Sequence, residues 1–344
     1  MGALTLGLIL PAGPLAEEHV RARSAELPWM LAERRSAKDL QAAAATVGLR
    51  CEVLEVPVHS ARTQFDPAVV AEVLRRHAAG LDRVQIVAHG HVGGSGRLHA
   101  LARACGLPVV GPDSAAIALA YDKLAARRRL EHFNVPVPRT VALAGASDRE
   151  VQRGLDRLGW PAVLKPRRGA ASAGVRRLTS VDGLRAAITH ASRVDPELLL
   201  EREVVGRELA VVLVGGELLG IAELDREVSE AGVFTHAMVC PASVSRAQRD
   251  GLTHLARRAA AALGLPLTGS APIRVDVLVS ERDNEVVLEV EPLPSLDRDG
   301  IVARVARAAG RTYEQLCIET WIGVDVAERA APEVRADAAR AVAG

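Results

Sequence analysis

Apolar and polar positions change period several times along the chain. LTLGLIL (4–10), CEVLEVPV (51–58) and RVQIVAHG (83–90) have the apolar density of buried strands. KDLQAAAATVG and PAVVAEVLRRHAAG instead space their apolar residues for one helix face and stop at glycine. Strands alternating with helices predict a parallel α/β sheet over residues 1–112, which GLPVVGPD closes with Gly and Pro signals. Residues 113–199 read as a second unit: a helix carrying AYDKLAARRRLEH, an extended VPVPRTVAL, a helix near 147–158, the strand PAVLKP and the small-residue loop RRGAASAGV. In a third unit, 200–325, the strands ELAVVLVGGELLGIAEL, IRVDVLVS and NEVVLEVE surround the helix RAQRDGLTHLARRAAAALG. Short turns such as VGGEL and SERDNE make this unit antiparallel. The Ala- and Arg-rich tail, 326–344, reads as a loose helix or a disordered end. The fold class is therefore α/β, a parallel N-terminal domain followed by two α+β subdomains.

Composition removes several function classes. The 344 residues are 49% hydrophobic and 25% charged with a net charge of +1, which describes a globular chain without the basic surface that nucleic acid or an anionic membrane needs. Aromatic residues make up 2%, too few for the stacking platforms of single-stranded nucleic-acid binders. LTLGLILPAGPLA has no positive residue before it and reads as a first core strand rather than a signal peptide, so a cytoplasmic protein is expected. Cysteines 51, 105, 240 and 317 lack metal or redox spacing. The basic residues are 40 Arg and only three Lys, at 38, 123 and 165. A compact ammonium differs from a planar guanidinium, so Lys123 and Lys165 are candidates for a phosphate site.

The acidic candidates lie on two strands. Glu289 and Glu291 in EVVLEVEPLPS are two residues apart and project from one strand face, as do Arg274 and Asp276 in RVDVL. If these strands pair, three carboxylates approach one another and need a hard cation with oxygen ligands. Magnesium usually shares a few carboxylates with substrate phosphates, so the cation predicts a nucleotide. Lys165 ends a strand before a loop whose backbone N–H groups can wrap polyphosphate, although the Walker A pattern is absent.

The order of these pieces resembles the ATP-grasp superfamily, and within it the D-alanine–D-alanine ligase family. The matching segments are AEEHV, AHGHVGGSGRLHALARACGLPVVGPDSAAIALAYDK, GWPAVLKPRRGAASAGV, LLLEREVVGRELAV, IRVDVLV and VLEVEPLPSLDRDGIVARVARAAGRTYEQL, covering residues 4 to 322. The resemblance implies ATP bound between two α+β subdomains, phosphorylation of a small amino acid's carboxylate, and attack of an amine on the acyl phosphate. It also implies a homodimer. By the same resemblance Lys123 and Lys165 hold the α- and β-phosphates, Glu201 reaches the adenine side and Glu208 takes the ribose hydroxyls. Asp276, Glu289 and Glu291 hold two Mg2+ ions, Arg274 stabilises the acyl phosphate, Glu17 anchors the amino acid's ammonium and His89 lines its pocket.

The chain also departs from that family's pattern. Glu291 stands where Asn is usual and Ser295 where Gly is usual. An acidic pair is replaced by Gly94 and Ser95. The phosphate-loop serine is Ala171, with Ser172 retained beside it, and the mobile loop 225–242 has no tyrosine, so all three members of a site-closing triad are missing. A Ser-Leu pair that binds the second substrate's carboxylate is Gly300 and Ile301, while Arg226, Glu230 and His236 on the mobile loop are candidate new contacts. The expectation is an ATP-dependent carboxylate–amine ligase with a different nucleophile. An intramolecular ring-closing ligase, a true D-alanine–D-alanine ligase and a catalytically silent nucleotide binder are the alternatives. The ERRSAKDLQ segment carries no readable chemistry.

Overall fold

The computed structural model describes residues 4–12, 27–58, 65–143, 147–228, 234–282 and 284–323. The first unit runs β1 (Thr5–Ala12), α1 (Leu27–Thr46), β2 (Arg50–Pro57), α2 (Pro67–Ala78), β3 (Arg83–Ile86), α3 (Gly90–Gly94) and α4 (Arg97–Ala104). Its three strands are parallel in the order β2-β1-β3, as the alternation predicts. Helix α2 starts where Asp66 accepts the Ala68 and Val69 amides with Pro67 in the first turn, and it buries Val70, Ala71 and Leu74. Strand β3 stops at Ile86, short of the predicted RVQIVAHG, because the chain leaves the sheet through His89 and left-handed Gly90 to start α3.

The helix expected around AYDKLAARRRLEH is two helices, α5 (Ser114–Tyr121) and α6 (Lys123–His132). Asp122 breaks them: its backbone is extended and its carboxylate caps α6 by accepting the Ala125 amide. Lys123 is thereby the first residue of a helix.

The second unit contains β4 (Thr140–Ala142), α7 (Asp148–Leu158), β5 (Ala162–Pro166), β6 (Arg176–Leu178), α8 (Leu184–Val194) and β7 (Leu198–Arg202). Its antiparallel sheet has the order β4-β7-β5-β6, so β7 carries this unit past the expected limit at residue 199. The third unit contains β8 (Arg207–Val214), β9 (Glu217–Val228), β10 (Phe234–Val239), α9 (Arg246–Ala262), β11 (Ile273–Val279), β12 (Glu285–Glu291), α10 (Ile301–Ala308) and α11 (Tyr313–Ile322). Its sheet is antiparallel throughout, in the order β10-β9-β8-β11-β12.

Much of 225–242, expected as a loop, is hairpin: β9 continues to Val228 and pairs with β10, setting Arg226 opposite His236. The β-branched and aromatic content of VFTHAMV supports a strand there. Glu230 and the tail 326–344 lie outside the described residues.

Strand alternation decides how the units join. Leu209, Val211 and Leu213 of β8 face a core built with α9, whereas Ala210 and Val212 face the other way. That second core contains Leu6, Leu8 and Leu40 from the first unit together with Val302, Leu316 and Trp321 from α10 and α11. The first and third units therefore share apolar packing. Trp321 also donates to the Gln85 side chain at 2.6 Å, and the Arg298 amide to Asp39 at 2.9 Å. Among the described residues no helix is long and apolar enough to cross a membrane.

Candidate active site: a charged cleft and an adjoining pocket

A cleft opens between the two antiparallel sheets, and its lining includes Lys123, Lys165, Ala171, Ser172, Glu201, Glu208, Asp276 and Glu289. Eight residues singled out in the sequence thus meet in one place. Lys165 reaches it from the end of β5, and Lys123 from the first turn of α6. The Lys165 ammonium donates to Glu201 at 2.5 Å, and the Lys123 ammonium to the Gly169 carbonyl at 2.8 Å with Glu289 at 3.5 Å.

Glu201, expected on the adenine side, lines the cleft with both carboxylate oxygens already engaged. Its carboxylate is 2% exposed and is taken on one oxygen by Lys165 and on the other by buried Arg127, whose Nε donates at 3.0 Å. Burial alone would push this carboxyl up, but Arg127 and Lys165 outweigh it and hold the carboxyl at about 2. Arg127 also donates to the carbonyls of Val287 and Leu288, which ties α6 and β7 to β12. It lies four residues after Lys123, on the same helix face. Sequence reasoning passed over Arg127 as one arginine among forty.

The loop after β5 is fastened at its start. Arg167 donates to Asp122 at 2.7 Å and to Glu197 at 2.6 Å, and the Lys123 amide donates to the Arg167 carbonyl at 3.1 Å. The start of α6 and the start of this loop are therefore one fixed body. Within the loop, Ala171 and Ser172 have φ of 52° and 55°, the left-handed region that side-chain-bearing residues avoid at a cost of about 1–2 kcal/mol each. Such a strained backbone in a cleft fits a loop whose amide geometry matters more than its side chains.

The acidic strands pair as the sequence requires. Asp276 lies opposite Glu289, and Arg274 opposite Glu291. Arg274 grips Asp276 with two hydrogen bonds, Nε to Oδ1 at 2.9 Å and Nη2 to Oδ2 at 3.0 Å. Burial pushes the Asp276 carboxyl up to about 6 against the pull of Arg274, and Glu289 and Glu208 add repulsion. For Glu289 the upward push of burial is outweighed by Lys123, Arg274, Lys165 and Arg127, so its carboxyl lies below the usual range.

Among the described residues no three carboxylate, imidazole or thiolate groups form a metal site by themselves. Asp276 and Glu289 nevertheless put carboxylate oxygens on the wall of the cleft, Glu289 repels Asp276, and Glu291 adds a third carboxylate on the wall of the adjoining pocket. This fits magnesium shared with phosphates better than a closed protein cage.

A second, smaller pocket adjoins the cleft and shares Gly169, Ala170 and Glu289 with it; His89, Gly94, Tyr121 and Glu291 are on its wall. His89 is fixed by Glu33 of α1, which is 2% exposed, accepts the His89 amide and lies 3.6 Å from its Nδ1. Burial opposes protonation of His89, yet the Glu33 and Glu291 carboxylates raise its pKa. Glu33 comes from the ERRSAKDLQ segment, which therefore does carry chemistry. Its signal, a carboxylate inside an amphipathic helix, shows its partner only in three dimensions. Glu17 and Glu230 lie outside the described residues, and the side chain of His236 is likewise not described. Gly300 and Ile301 begin α10, with Ile301 against the shared core, and neither lines the cleft or the pocket.

A family model described as D-ala D-ala ligase C-terminus matches residues 130–322, which include the Lys165 strand, the small-residue loop and both acidic strands. The chain belongs to the D-alanine–D-alanine ligase family. Relatives include the D-alanine–D-alanine ligase of Bordetella pertussis, 30% identical over 254 residues (70% of this chain, 78% of that protein). That of Janthinobacterium sp. is 32% identical over 273 residues, 74% and 82% of the two chains. In fold, the chain superposes on a D-alanine–D-alanine ligase from Bacillus anthracis with a TM-score of 0.71 at 19% identity, covering 95% of this chain and 99% of that one. A D-Ala:D-Ser ligase from Enterococcus faecalis matches equally, at 0.71 and 19%, over 93% and 98%. The ATP-grasp architecture expected from the sequence is the fold observed.

By the resemblance drawn from the sequence, this family member is expected to keep both cleft lysines, Arg274, Asp276 and Glu289, with Glu291 in place of the usual Asn. Its altered positions, Gly94 and Ala171, lie on the pocket side and in the loop.

Proposed function

We propose that this protein is an ATP-dependent carbon–nitrogen ligase that activates a small amino acid's carboxylate and passes it to an amine other than a second D-alanine. The carboxylate oxygen attacks the γ-phosphorus, ADP leaves, and the acyl phosphate forms. The amine then attacks the acyl carbon, phosphate leaves, and the nitrogen loses a proton to give the amide. The observation that carries this reading is Lys123, Lys165, the strained Ala171–Ser172 loop and the Asp276/Glu289 pair around one cleft.

In this reading Lys123 and Lys165 hold the α- and β-phosphates, the loop amides cover them, Glu208 takes the ribose hydroxyls and the chain after Glu201 flanks adenine. Glu201 itself acts through Lys165, as a positioning residue. Asp276, Glu289 and Glu291 would hold two magnesium ions, which neutralise phosphate charge that would repel the carboxylate nucleophile. Arg274 faces the developing charge of the acyl phosphate, Glu33 positions His89, and Glu17 remains the candidate anchor for the ammonium. Gly94 and Ala171, with no tyrosine between 225 and 242, favour a changed acceptor. A homodimer belongs to the same reading.

D-alanine–D-alanine ligation is the second reading, supported equally by the names of the relatives. Screening ADP release over D- and L-amino acids with Mg2+-ATP and hydroxylamine, which traps acyl phosphate as hydroxamate, tests the proposal. One small amino acid is expected to give hydroxamate. No hydroxamate from any of them would overturn carboxylate activation, and ADP without hydroxylamine would point by product mass to dimer formation, ring closure or hydrolysis.

A further inference from the structure

Tyr121 has no part in the nucleotide cleft, yet it sits where the three units meet. It is the last residue of α5, one position before the Asp122 break that sends Lys123 into the cleft. Its ring lies directly on Gly94: a Cβ at position 94 would come within 2.3 Å of Cδ2 and 2.7 Å of Cγ. Because Cγ is the fixed base of the ring, no small torsion relieves that contact, and the ring can stand there only opposite glycine. His91, on the same turn as Gly94, meets the ring edge-on with centroids 6.0 Å apart and planes at 64°. The ring, carried by α5, is thus packed against two residues of α3.

The phenol lines the pocket with His89, Ala170, Glu289 and Glu291, next to the place where the cleft ends. Its hydroxyl makes no hydrogen bond to another described residue, although a half-buried tyrosine ordinarily finds a partner. Burial, with the carboxylates of Asp195, Glu291 and Glu289, raises its pKa, so it remains a neutral group able to donate a hydrogen bond. The glycine that leaves room for the ring is the position where the sequence lacks an acidic residue. Glycine at position 94 is what gives the Tyr121 ring its place.

We propose that Tyr121, held in place by Gly94, is a specificity-determining residue of the amino-acid pocket: its ring sets the pocket's width and its hydroxyl hydrogen-bonds a polar group of the amino acid or amine bound there. The inference rests on the ligase reading above and deepens it. It makes the two residues act in opposite senses, since truncating Tyr121 widens the pocket and adding a methyl at Gly94 drives the ring inward.

The test uses the full chain with Mg2+-ATP, measuring kcat and KM for the activated amino acid and for a size series of amine acceptors, with ATP affinity determined separately by calorimetry. Tyr121→Phe should raise KM for one of the two substrates roughly tenfold, the worth of one hydrogen bond, and more than it lowers kcat. ATP affinity should stay at the wild-type value. Tyr121→Ala should shift the kcat/KM ratio toward larger substrates, and Gly94→Ala toward smaller ones, each by about tenfold or more. Should Gly94→Ala fail to fold, Tyr121→Phe adds no atom and still decides. Wild-type turnover with unchanged Tyr121→Phe constants overturns this inference alone, as does a size shift in the same direction for both other variants. A wild-type protein that activates no amino acid overturns the ligase reading, and this inference with it.

Discussion

The cleft and the smaller pocket, proposed above for nucleotide and amino acid, share Gly169, Ala170 and Glu289, but they are built by different means. In the cleft nearly every charge has an opposite partner: Lys165 with Glu201, Glu201 with Arg127, Lys123 with Glu289, Arg274 with Asp276. The pocket has His89, held by Glu33, and Glu291 on its wall, but its width depends on small residues, Gly94 and Ala170, and on a phenol without a hydrogen-bond partner among the described residues. A cleft of reciprocal charges tolerates little change, because removing one partner leaves the other buried and uncompensated. A pocket shaped by glycine and one ring can be altered in a single substitution. Under the proposed function, the difference would let a ligase keep its phosphate chemistry while its acceptor side changes.

The largest expected effect falls on the cleft. Lys165→Ala or Glu289→Ala should lower ADP formation by roughly a thousandfold or more, the scale of losing a group aimed at transition-state charge. A variant that turned over normally would break the assignment of the cleft to phosphate. Next in size is Arg127→Leu, which removes one of the two cationic partners of a carboxylate that is 2% exposed and leaves only Lys165. It should cost about 2–4 kcal/mol of folding stability by urea denaturation and raise KM for ATP, because Glu201 loses one of its two cations and β12 loses its tether to α6. A loss below about 1 kcal/mol would show that the cleft does not depend on this buried charge.

Acid titration sharpens the comparison. His99 of α4, in the first unit, is fully buried with neither ring nitrogen partnered among the described residues, and burial followed by the nearby Arg103 charge depresses it to about 3. Its folded pKa lies below its unfolded one, so the unfolded chain binds the extra proton and stability falls as pH drops from about 6.5 toward 3. Glu201 is also depressed, and its contribution is present above about 4.5 and is lost only as pH falls toward 2. Acid should therefore weaken the first unit before the cleft. His99→Leu should flatten that slope and add about 1 kcal/mol at neutral pH, and equal slopes in both proteins would refute the account of His99. The smallest effect is expected from Ala171→Ser, under twofold on D-alanyl-D-alanine synthesis, since the other triad positions are altered as well. A large gain would mean that the pocket is one hydroxyl away from the standard acceptor.

What could be read in the sequence follows from the range of each signal. The i, i+2 spacing of Glu289 and Glu291, and of Arg274 and Asp276, foretold a paired acidic ladder because strand periodicity is local. The scarcity of lysine singled out Lys123 and Lys165, and both line the cleft. Arg127 and Glu33 were missed because their partners are 74 and 56 residues away, and nothing nearby distinguishes them from solvated helix charges. Tyr121 was hidden in an apparently continuous helix, since helical spacing runs through Asp122 and only its capping carboxylate marks the break. The segment 225–242 was read as a mobile loop because its pattern was taken from the resemblance, whereas VFTHAMV has the composition of the strand it forms.

The most direct test of a retained cleft beside a rebuilt pocket is ADP release by the wild-type protein on D-alanine, with and without hydroxylamine. The account predicts little ADP from D-alanine alone even where the activated amino acid is D-alanine, and a hydroxylamine-dependent rate that Lys165→Ala removes. Equal ADP release without hydroxylamine, accompanied by D-alanyl-D-alanine, would contradict it and make the protein a standard member of its family.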